Sequence, residues 1–286
     1  MVATLLVPLA LVSGCSTSNP AASQETLQQL SENELYNRAQ VRMRNNNFIG
    51  AADLFKLLLQ QFPFGRYSEQ AQIELIYAYF MSYQAEEARS EADRFLRLYP
   101  THQNVDYARF IKAYTSFYQD DSLTSRAFKL NYARRDVTDI QLSFQQLAEF
   151  IKLHSDSPYA PLARKRMIHL KELLAFHELW VADFYLERGA FLAAANRANW
   201  VLAHIPKTSA SPWALAILAY AYNKMDMQLE SGQSLDLLQQ RFADHAALAH
   251  LLNAKGQPVG QIRLPDNETS LFNILTAGLF VPPDSE

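Results

Sequence analysis

The 286-residue chain has one cysteine, eight glycines and no surplus of basic residues. A single cysteine excludes a disulfide within the chain, and with it a disulfide-dense scaffold. Glycine lies far below its average share of about 7 % of residues, which favours helices over strands joined by tight turns. The net charge of −3 argues against a nucleic-acid binder, because such proteins have a basic footprint. No apolar run after residue 14 approaches the roughly 20 residues that span a bilayer.

The one cysteine, Cys15, follows an apolar and uncharged stretch. Leu11-Val12-Ser13-Gly14-Cys15 resembles a lipobox, where a peptidase cleaves before a diacylated cysteine. We therefore predict a signal peptide over residues 1–14. Residues 15–30, rich in Ser, Thr, Asn, Ala and Gln, are predicted to be a lipidated N-terminus and flexible tether, with N-palmitoyl and S-diacylglycerol groups on Cys15. An ordinary signal peptide is the alternative.

Two features near Cys15 bear on its processing and location. Secretory signals normally begin with a basic region, and none precedes Cys15. We therefore expect translation to start further upstream. Ser16 occupies the position where an aspartate favours inner-membrane retention, so the sequence predicts a lipid-anchored protein on the periplasmic face of the outer membrane.

An internal repeat is the clearest pattern in the rest of the chain. Four segments align without gaps. Each has an apolar residue, then a Pro or Ser, then a polar turn, and an alanine eight positions after the Pro or Ser. The first interval between these alanines is 37 residues, close to the period of about 34 in tetratricopeptide (TPR) repeats. The alanines are Ala71, Ala108, Ala163 and Ala214.

The repeat predicts an all-α fold, a right-handed superhelical solenoid of about five TPR-like helical hairpins over residues 31–243. Helical periodicity supports this: apolar residues recur every three or four positions from Phe48 to Phe62. Asn45–Asn47 and Gly189 are predicted turns between paired helices. The predicted hairpins span residues 31–64, 67–100, 103–155, 158–205 and 208–243, and the third contains an insertion near 120–136.

Residues 244–286 break the repeat and contain four prolines. This C-terminal extension of unknown structure includes a short apolar stretch, Leu271–Val281. We interpret the extension as a loosely attached tail. A helix that covers the end of the solenoid is the alternative.

Motifs of catalytic or metal sites are missing. His177-Glu178 begins like a zinc motif, but Val181 stands where H-E-x-x-H requires its second histidine. The chain has neither a phosphate-binding G-x-x-x-x-G-K-[ST] loop nor a G-x-S-x-G nucleophile elbow. We therefore predict a protein-binding scaffold without enzyme activity, cofactor or metal. A lipid-anchored hydrolase is a third and weaker hypothesis.

Several motifs in order make the chain similar to the BamD family of outer-membrane protein assembly factors. They are Phe62–Ser68, Leu75–Tyr79, Arg94–His102, Asn104–Tyr107 and Tyr185–Ala190. The resemblance implies a lipoprotein of the β-barrel assembly (BAM) machinery that takes part in protein insertion into the outer membrane. Implied partners are a POTRA domain of the barrel subunit BamA, accessory Bam lipoproteins and unfolded outer-membrane proteins. A TPR lipoprotein that coordinates peptidoglycan synthesis or cell division at the outer membrane is the alternative.

Two sets of candidate binding residues follow. Aromatic and arginine side chains of the first repeats suit an extended peptide, although tyrosines also pack helices together. The resemblance implies that the C-terminal repeats bind BamA. We interpret a further charged cluster first as a local salt-bridged turn and second as an interface; it consists of Arg134, Arg135, Asp136 and Asp139. The substrate-binding candidates are Arg66, Tyr67, Tyr77, Tyr79 and Tyr107, and the BamA-binding candidates are Glu187, Arg188, Asn196 and Arg197.

Overall fold

A computed structural model describes residues 30–117, 136–251 and Leu264. These residues form eleven α-helices and no β-strand. Within them, no helix is both long and apolar enough to cross a membrane. The helices are α1 (Glu32–Arg44), α2 (Phe48–Gln61), α3 (Ser68–Met81), α4 (Ala85–Leu98), α5 (Val105–Thr115), α6 (Thr138–Leu153), α7 (Ala160–Glu187), α8 (Phe191–His204), α9 (Ser211–Lys224), α10 (Gln228–Arg241) and α11 (Ala246–Leu251).

Short polar residues determine where the helices begin and turn. Ser31 and Glu34 form a capping box at the start of α1, in which each side chain accepts from the other residue's backbone N–H. The Asn47 side chain accepts from the Gly50 N–H at 3.0 Å and caps α2. Asn46 and Gly189 have φ values of 56° and 71°, a left-handed conformation that asparagine and glycine adopt readily. Both predicted turns are confirmed.

The chain divides into two compact units, with the division between Leu75 and Ile76. In the first unit, α1 packs against α2. Alanines line this contact and allow close approach, while larger side chains fill the remaining space. The fully buried members are Leu35, Ala39, Ala51, Phe55 and Leu58.

In the second unit, consecutive helices pack on one another from α4 to α10. Helix α5 packs against α6, α7 against α8, and α9 against α10, as the paired helices of TPR-like hairpins do. The prediction of an all-α fold built from TPR-like helix pairs is confirmed. The right-handed superhelix and the proposed domain boundaries stay predictions.

The first residues of the C-terminal extension belong to the last part of the fold. Helix α9 is apolar on every side, and Ser211–Ala219 are all buried. Helix α11 packs against α9, where the His245 and His250 rings lie 5.5 and 5.6 Å from the Trp213 ring. The expectation of a loosely attached tail is therefore wrong for residues 246–251, which form a helix packed on the fold. The helix packs there because it removes apolar side chains of α9 from water. The apolar stretch Leu271–Val281 lies outside the described residues.

Helix α7 is 28 residues long, and His169, one of its two histidines, is 5 % exposed. Burial, with a smaller contribution from the nearby Arg166 charge, lowers the pKa of His169 from 6.5 to about 4. The folded protein therefore keeps His169 neutral at pH values where the unfolded chain binds a proton.

We expect this histidine to weaken the fold in acid. Above pH 6.5, His169 is neutral in both the folded and the unfolded chain and does not change the free energy of unfolding. As the pH falls from 6.5 toward 4, only the unfolded chain binds the proton, and the free energy of unfolding falls by on the order of 2 kcal/mol at pH 5. His169→Gln should reduce the loss of unfolding free energy between pH 7 and pH 5, measured by urea denaturation. His204→Gln, a change at an exposed histidine of α8, is the matched control. Equal pH dependence in both variants would contradict the assignment.

Candidate partner-binding surfaces

The turn between α2 and α3 is held by specific hydrogen bonds. The Tyr67 N–H donates to the Glu32 carboxylate at 2.6 Å, and the Ser68 hydroxyl donates to the Phe62 carbonyl at 2.6 Å. A side chain at Gly65 would meet the Glu32 carboxylate, so glycine suits this position. Glu32 therefore links the start of α1 to the start of α3 and fixes the turn between them.

Aromatic rings and a cation lie beside this turn. The Tyr67 ring stacks on Tyr36 with centroids 4.5 Å apart and planes 15° apart. The Tyr67 hydroxyl donates to Asn33 at 3.2 Å, and the Tyr36 hydroxyl donates to Glu74 at 2.8 Å. The exposed Arg66 guanidinium lies 5.7 Å from the Tyr67 ring centroid. We call Tyr36, Arg66 and Tyr67 the Tyr67 surface.

Phe64, in the same turn, is 97 % exposed. A phenylalanine presented this openly on a hydrogen-bonded turn is a candidate contact residue that the sequence analysis missed. The position of Phe64 between Pro63 and Gly65 could have predicted its exposure from the sequence. A turn places its middle residues at the surface, whatever their polarity.

The other substrate-binding candidates belong to the second unit and differ in exposure. Tyr79 and Tyr107 are each 7 % exposed and lie in the helix core. The Tyr107 ring is 5.3 Å from that of Tyr159, and burial raises the pKa of Tyr107 well above its ordinary value. Tyr77 is half-buried. Tyr79 and Tyr107 thus present almost no surface to a partner, and packing is the role their positions support.

The second candidate set is divided between the end of α7 and the middle of α8. The Arg197 guanidinium on α8 donates to the Glu178 carboxylate on α7 at 3.0 Å. The Arg197 side chain is 46 % exposed and that of Glu178 is 15 % exposed. The hydrogen bond with Glu178 is the largest of the effects that raise the pKa of Arg197, so the guanidinium stays charged. Its other N–H groups leave room for further acceptors.

Arg188, the C-cap of α7, is held in a similar way. Its guanidinium lies 3.4 Å from the Phe184 ring centroid and donates to the Phe184 carbonyl at 3.2 Å. Glu187 and Asn196 are exposed. All four BamA-binding candidates are thus accessible, on the adjoining helices α7 and α8. We call Glu187, Arg188, Asn196 and Arg197 the α7–α8 surface.

In residues 30–117 and 136–251, no group of three or more His, Cys, Asp or Glu side chains could hold a metal ion. Asp136 accepts from the Thr138 N–H and hydroxyl at 2.9 and 2.7 Å, so it forms a local turn at the start of α6. Arg134 and Arg135 lie outside the described residues, as does Cys15.

Comparison with known proteins assigns the family. Residues 28–236 match the model of the YfiO family, described as outer membrane lipoprotein. The chain belongs to this family. Relatives named outer membrane protein assembly factor BamD are 31 % identical in Neisseria gonorrhoeae, over 89 % of this chain and 96 % of the relative, and 32 % identical in Vibrio cholerae, over 78 % and 90 %. The BamD of Xylella fastidiosa strain 9a5c is 31 % identical over 86 % and 83 %.

The suggested resemblance to the BamD family is therefore confirmed. The match includes both the Tyr67 surface and the α7–α8 surface. It places the two surfaces within the part of the chain that is shared with these relatives.

Glu32 is expected to determine the shape of the Tyr67 surface. Glu32→Ala removes the acceptor of the Tyr67 N–H, and the loss of a charge-assisted hydrogen bond should lower the free energy of unfolding by about 1.5 kcal/mol. Amide hydrogen exchange at residues 64–68 should accelerate. Asp53→Ala, at an exposed carboxylate of α2, is the control. If the two variants behaved alike, Glu32 would have no special role in the turn.

Proposed function

We propose that this chain is a lipid-anchored periplasmic scaffold of the outer-membrane β-barrel assembly complex. The supporting observation is its family membership, since the relatives over most of its length are named outer membrane protein assembly factors. Helical hairpins stacked on one another present side chains along a continuous surface, which suits binding to other polypeptides. In this role the chain needs no cofactor and catalyses no reaction.

The α7–α8 surface is our proposed contact with a POTRA domain of BamA. Two exposed arginines lie on it, and arginine is enriched in protein interfaces and at their energetically important positions. Both arginines are pre-oriented, Arg197 by Glu178 and Arg188 by the Phe184 ring. A side chain that is already ordered loses less conformational entropy when a partner binds.

The Tyr67 surface is our proposed contact with unfolded outer-membrane proteins. Arg66 and Tyr67 offer a cation and an aromatic ring on a fixed turn, and Phe64 adds an exposed apolar side chain. These groups suit an extended segment with alternating apolar and polar residues. In the second unit, the half-buried Tyr77 stays a separate candidate for contact with these proteins, whereas the buried Tyr79 and Tyr107 do not.

Co-purification from native membranes tests the proposal as a whole. The tagged chain, extracted in mild detergent, should recover BamA and accessory Bam lipoproteins. Recovery of cell-wall synthases without BamA would instead support a scaffold for peptidoglycan synthesis or cell division.

A charge exchange separates the structural role of Arg197 from its role in binding. Arg197→Glu should weaken BamA binding by roughly 30-fold, the effect of losing about 2 kcal/mol at an interface arginine. It should also lower the melting temperature, because the Glu178 carboxylate is 15 % exposed and would face a second carboxylate in place of its cation. Arg197→Glu combined with Glu178→Arg restores the pair within the chain.

The double variant should melt like the unaltered chain and still bind BamA poorly, as measured by affinity of the detergent-purified proteins. Restored binding would mean that the pair acts only inside this chain. Arg197 would then leave the proposed interface.

Cys15→Ala should give a folded chain without a membrane anchor. A thioether-linked diacylglycerol requires the cysteine sulfur, and several acyl chains are needed for stable anchoring. Cell fractionation should move the variant from the membrane to the soluble periplasm, with an unchanged circular dichroism spectrum. Continued acyl labelling of the variant would refute the lipid attachment site.

A further inference from the structure

The outward face of helix α8 has no charged side chain. Arg197 is the only Lys, Arg, Asp or Glu among the 14 residues of α8, and it lies beside this face. Helical periodicity places a row of exposed, uncharged residues opposite the buried alanines of the helix. We call this row the α8 face; it consists of Leu192, Asn196, Asn199, Trp200 and Ala203.

Two large apolar side chains lie on the α8 face. Leu192 is 62 % exposed and Trp200 is 40 % exposed, and about 12 Å separates them along the helix axis. The Trp200 ring stacks on His204, with centroids 4.7 Å and planes 23° apart. Removal of this apolar area from water would stabilise the chain, and the stacked ring has little rotational freedom left to lose.

The C-terminal extension contains a segment of matching chemistry. Residues 271–281 include seven large apolar side chains and no charged residue. A run of this length is typical of a segment that is buried against a core, since roughly 20 residues are needed to span a bilayer. The segment lies outside the described part of the chain.

The buried Leu264 determines where this segment starts. Its side chain is 3 % exposed and belongs to the cluster that also contains Ala194, Ala198 and Val201 of α8. From Leu264 to Leu271 the chain advances by seven residues, which span at most about 25 Å. Helix α8 is about 21 Å long. The segment is therefore tethered to the cluster on which α8 packs, within reach of that helix.

Resting on the function proposed above, we infer that residues 271–281 bind the α8 face of their own chain and compete there with the partner of the α7–α8 surface. Asn196 belongs to both surfaces, so one occupant excludes the other. Even a helix of 11 residues spans about 16 Å, which exceeds the separation of Leu192 and Trp200. Covalent attachment favours this occupant, because a tethered segment has an effective concentration of about millimolar.

Charge explains why the segment would select α8. The other exposed leucines of the last hairpin, Leu229 and Leu237, lie on α10. That helix also contains Glu230, Asp236 and Arg241. An uncharged segment offers these groups no partner, so covering α10 would cost the free energy of their desolvation. The α8 face imposes no such cost.

The flanks of the segment are acidic. The charged residues after Arg263 are Asp266, Glu268, Asp284 and Glu286. Their carboxylates suit Arg197, which is the cation beside the α8 face. Anionic lipid headgroups repel carboxylates, and binding to a membrane surface favours Lys and Arg around the apolar residues. A site on the chain itself is therefore the better match for this segment.

Disulfide trapping tests the contact without removing an apolar side chain. Asn196→Cys combined with Thr276→Cys places one cysteine on the α8 face and one in the segment. In the full-length chain, oxidation should link these positions about tenfold more than in a control that combines Gln233→Cys with Thr276→Cys, because a disulfide needs close Cα atoms. Gln233 is an exposed residue of α10. Peptide mass spectrometry identifies the link and excludes links to Cys15.

A second pair of changes tests whether apolar contact holds the segment. Phe272→Gln combined with Leu275→Gln should reduce the link between positions 196 and 276 to the control level. The same changes should raise the affinity for BamA about threefold, measured with full-length proteins in lipid nanodiscs, because a competing occupant is lost.

The outcomes separate this inference from the proposed function. Equal links from positions 196 and 233, or no link, would overturn the inference. Links only between two chains would also overturn it and assign the face to a second copy. A selective link with unchanged BamA affinity would overturn the competition. Absence of BamA binding by every variant would overturn the proposed function, while a selective link would still support the contact within the chain.

Discussion

The arrangement of the surfaces depends on alanines that are buried where neighbouring helices pack. Ala39 and Ala51 in the first unit, and Ala108, Ala163 and Ala198 in the second, are fully buried. A methyl side chain allows two helix backbones to approach closely, and a larger residue would force the helices apart at a cost of about 1–3 kcal/mol. Because the buried side of each helix is fixed in this way, helical periodicity also fixes which side chains face solvent.

Function then lies on what the packing leaves outside. On α8, alanines at positions 194, 195 and 198 occupy the core side, which turns Leu192 and Trp200 outward. On α9 residues 211–219 are all buried, and α11 packs against the helix, so most of its length is closed to a partner. Helices with the same fold can therefore differ in role, depending on whether a neighbour covers their second face.

Periodicity and turn residues predicted much of the fold, because both act locally. The predicted hairpin of residues 158–205 is found as α7 and α8, and the predicted turn at Gly189 lies between them. The tyrosines were harder to place. A helix between two neighbours buries more than one stripe, and tyrosine tolerates both burial and exposure, so spacing alone did not separate the buried Tyr79 and Tyr107 from Tyr67. The sequence of α9 is apolar on every side, which indicates that another segment packs on it. The sequence does not indicate that α11 is that segment.

The ion pair between Arg197 and Glu178 limits what Arg197 can contribute to the proposed BamA contact. Arg197 is already paired with Glu178 inside the chain. A carboxylate of the partner would therefore add only the difference in free energy between an arginine that is shared by two carboxylates and one that is paired with Glu178 alone. Such a difference is small for exposed groups, although it discriminates strongly against a partner that brings another cation. In the proposed contact, Arg197 would therefore act mainly by selecting the partner and its orientation.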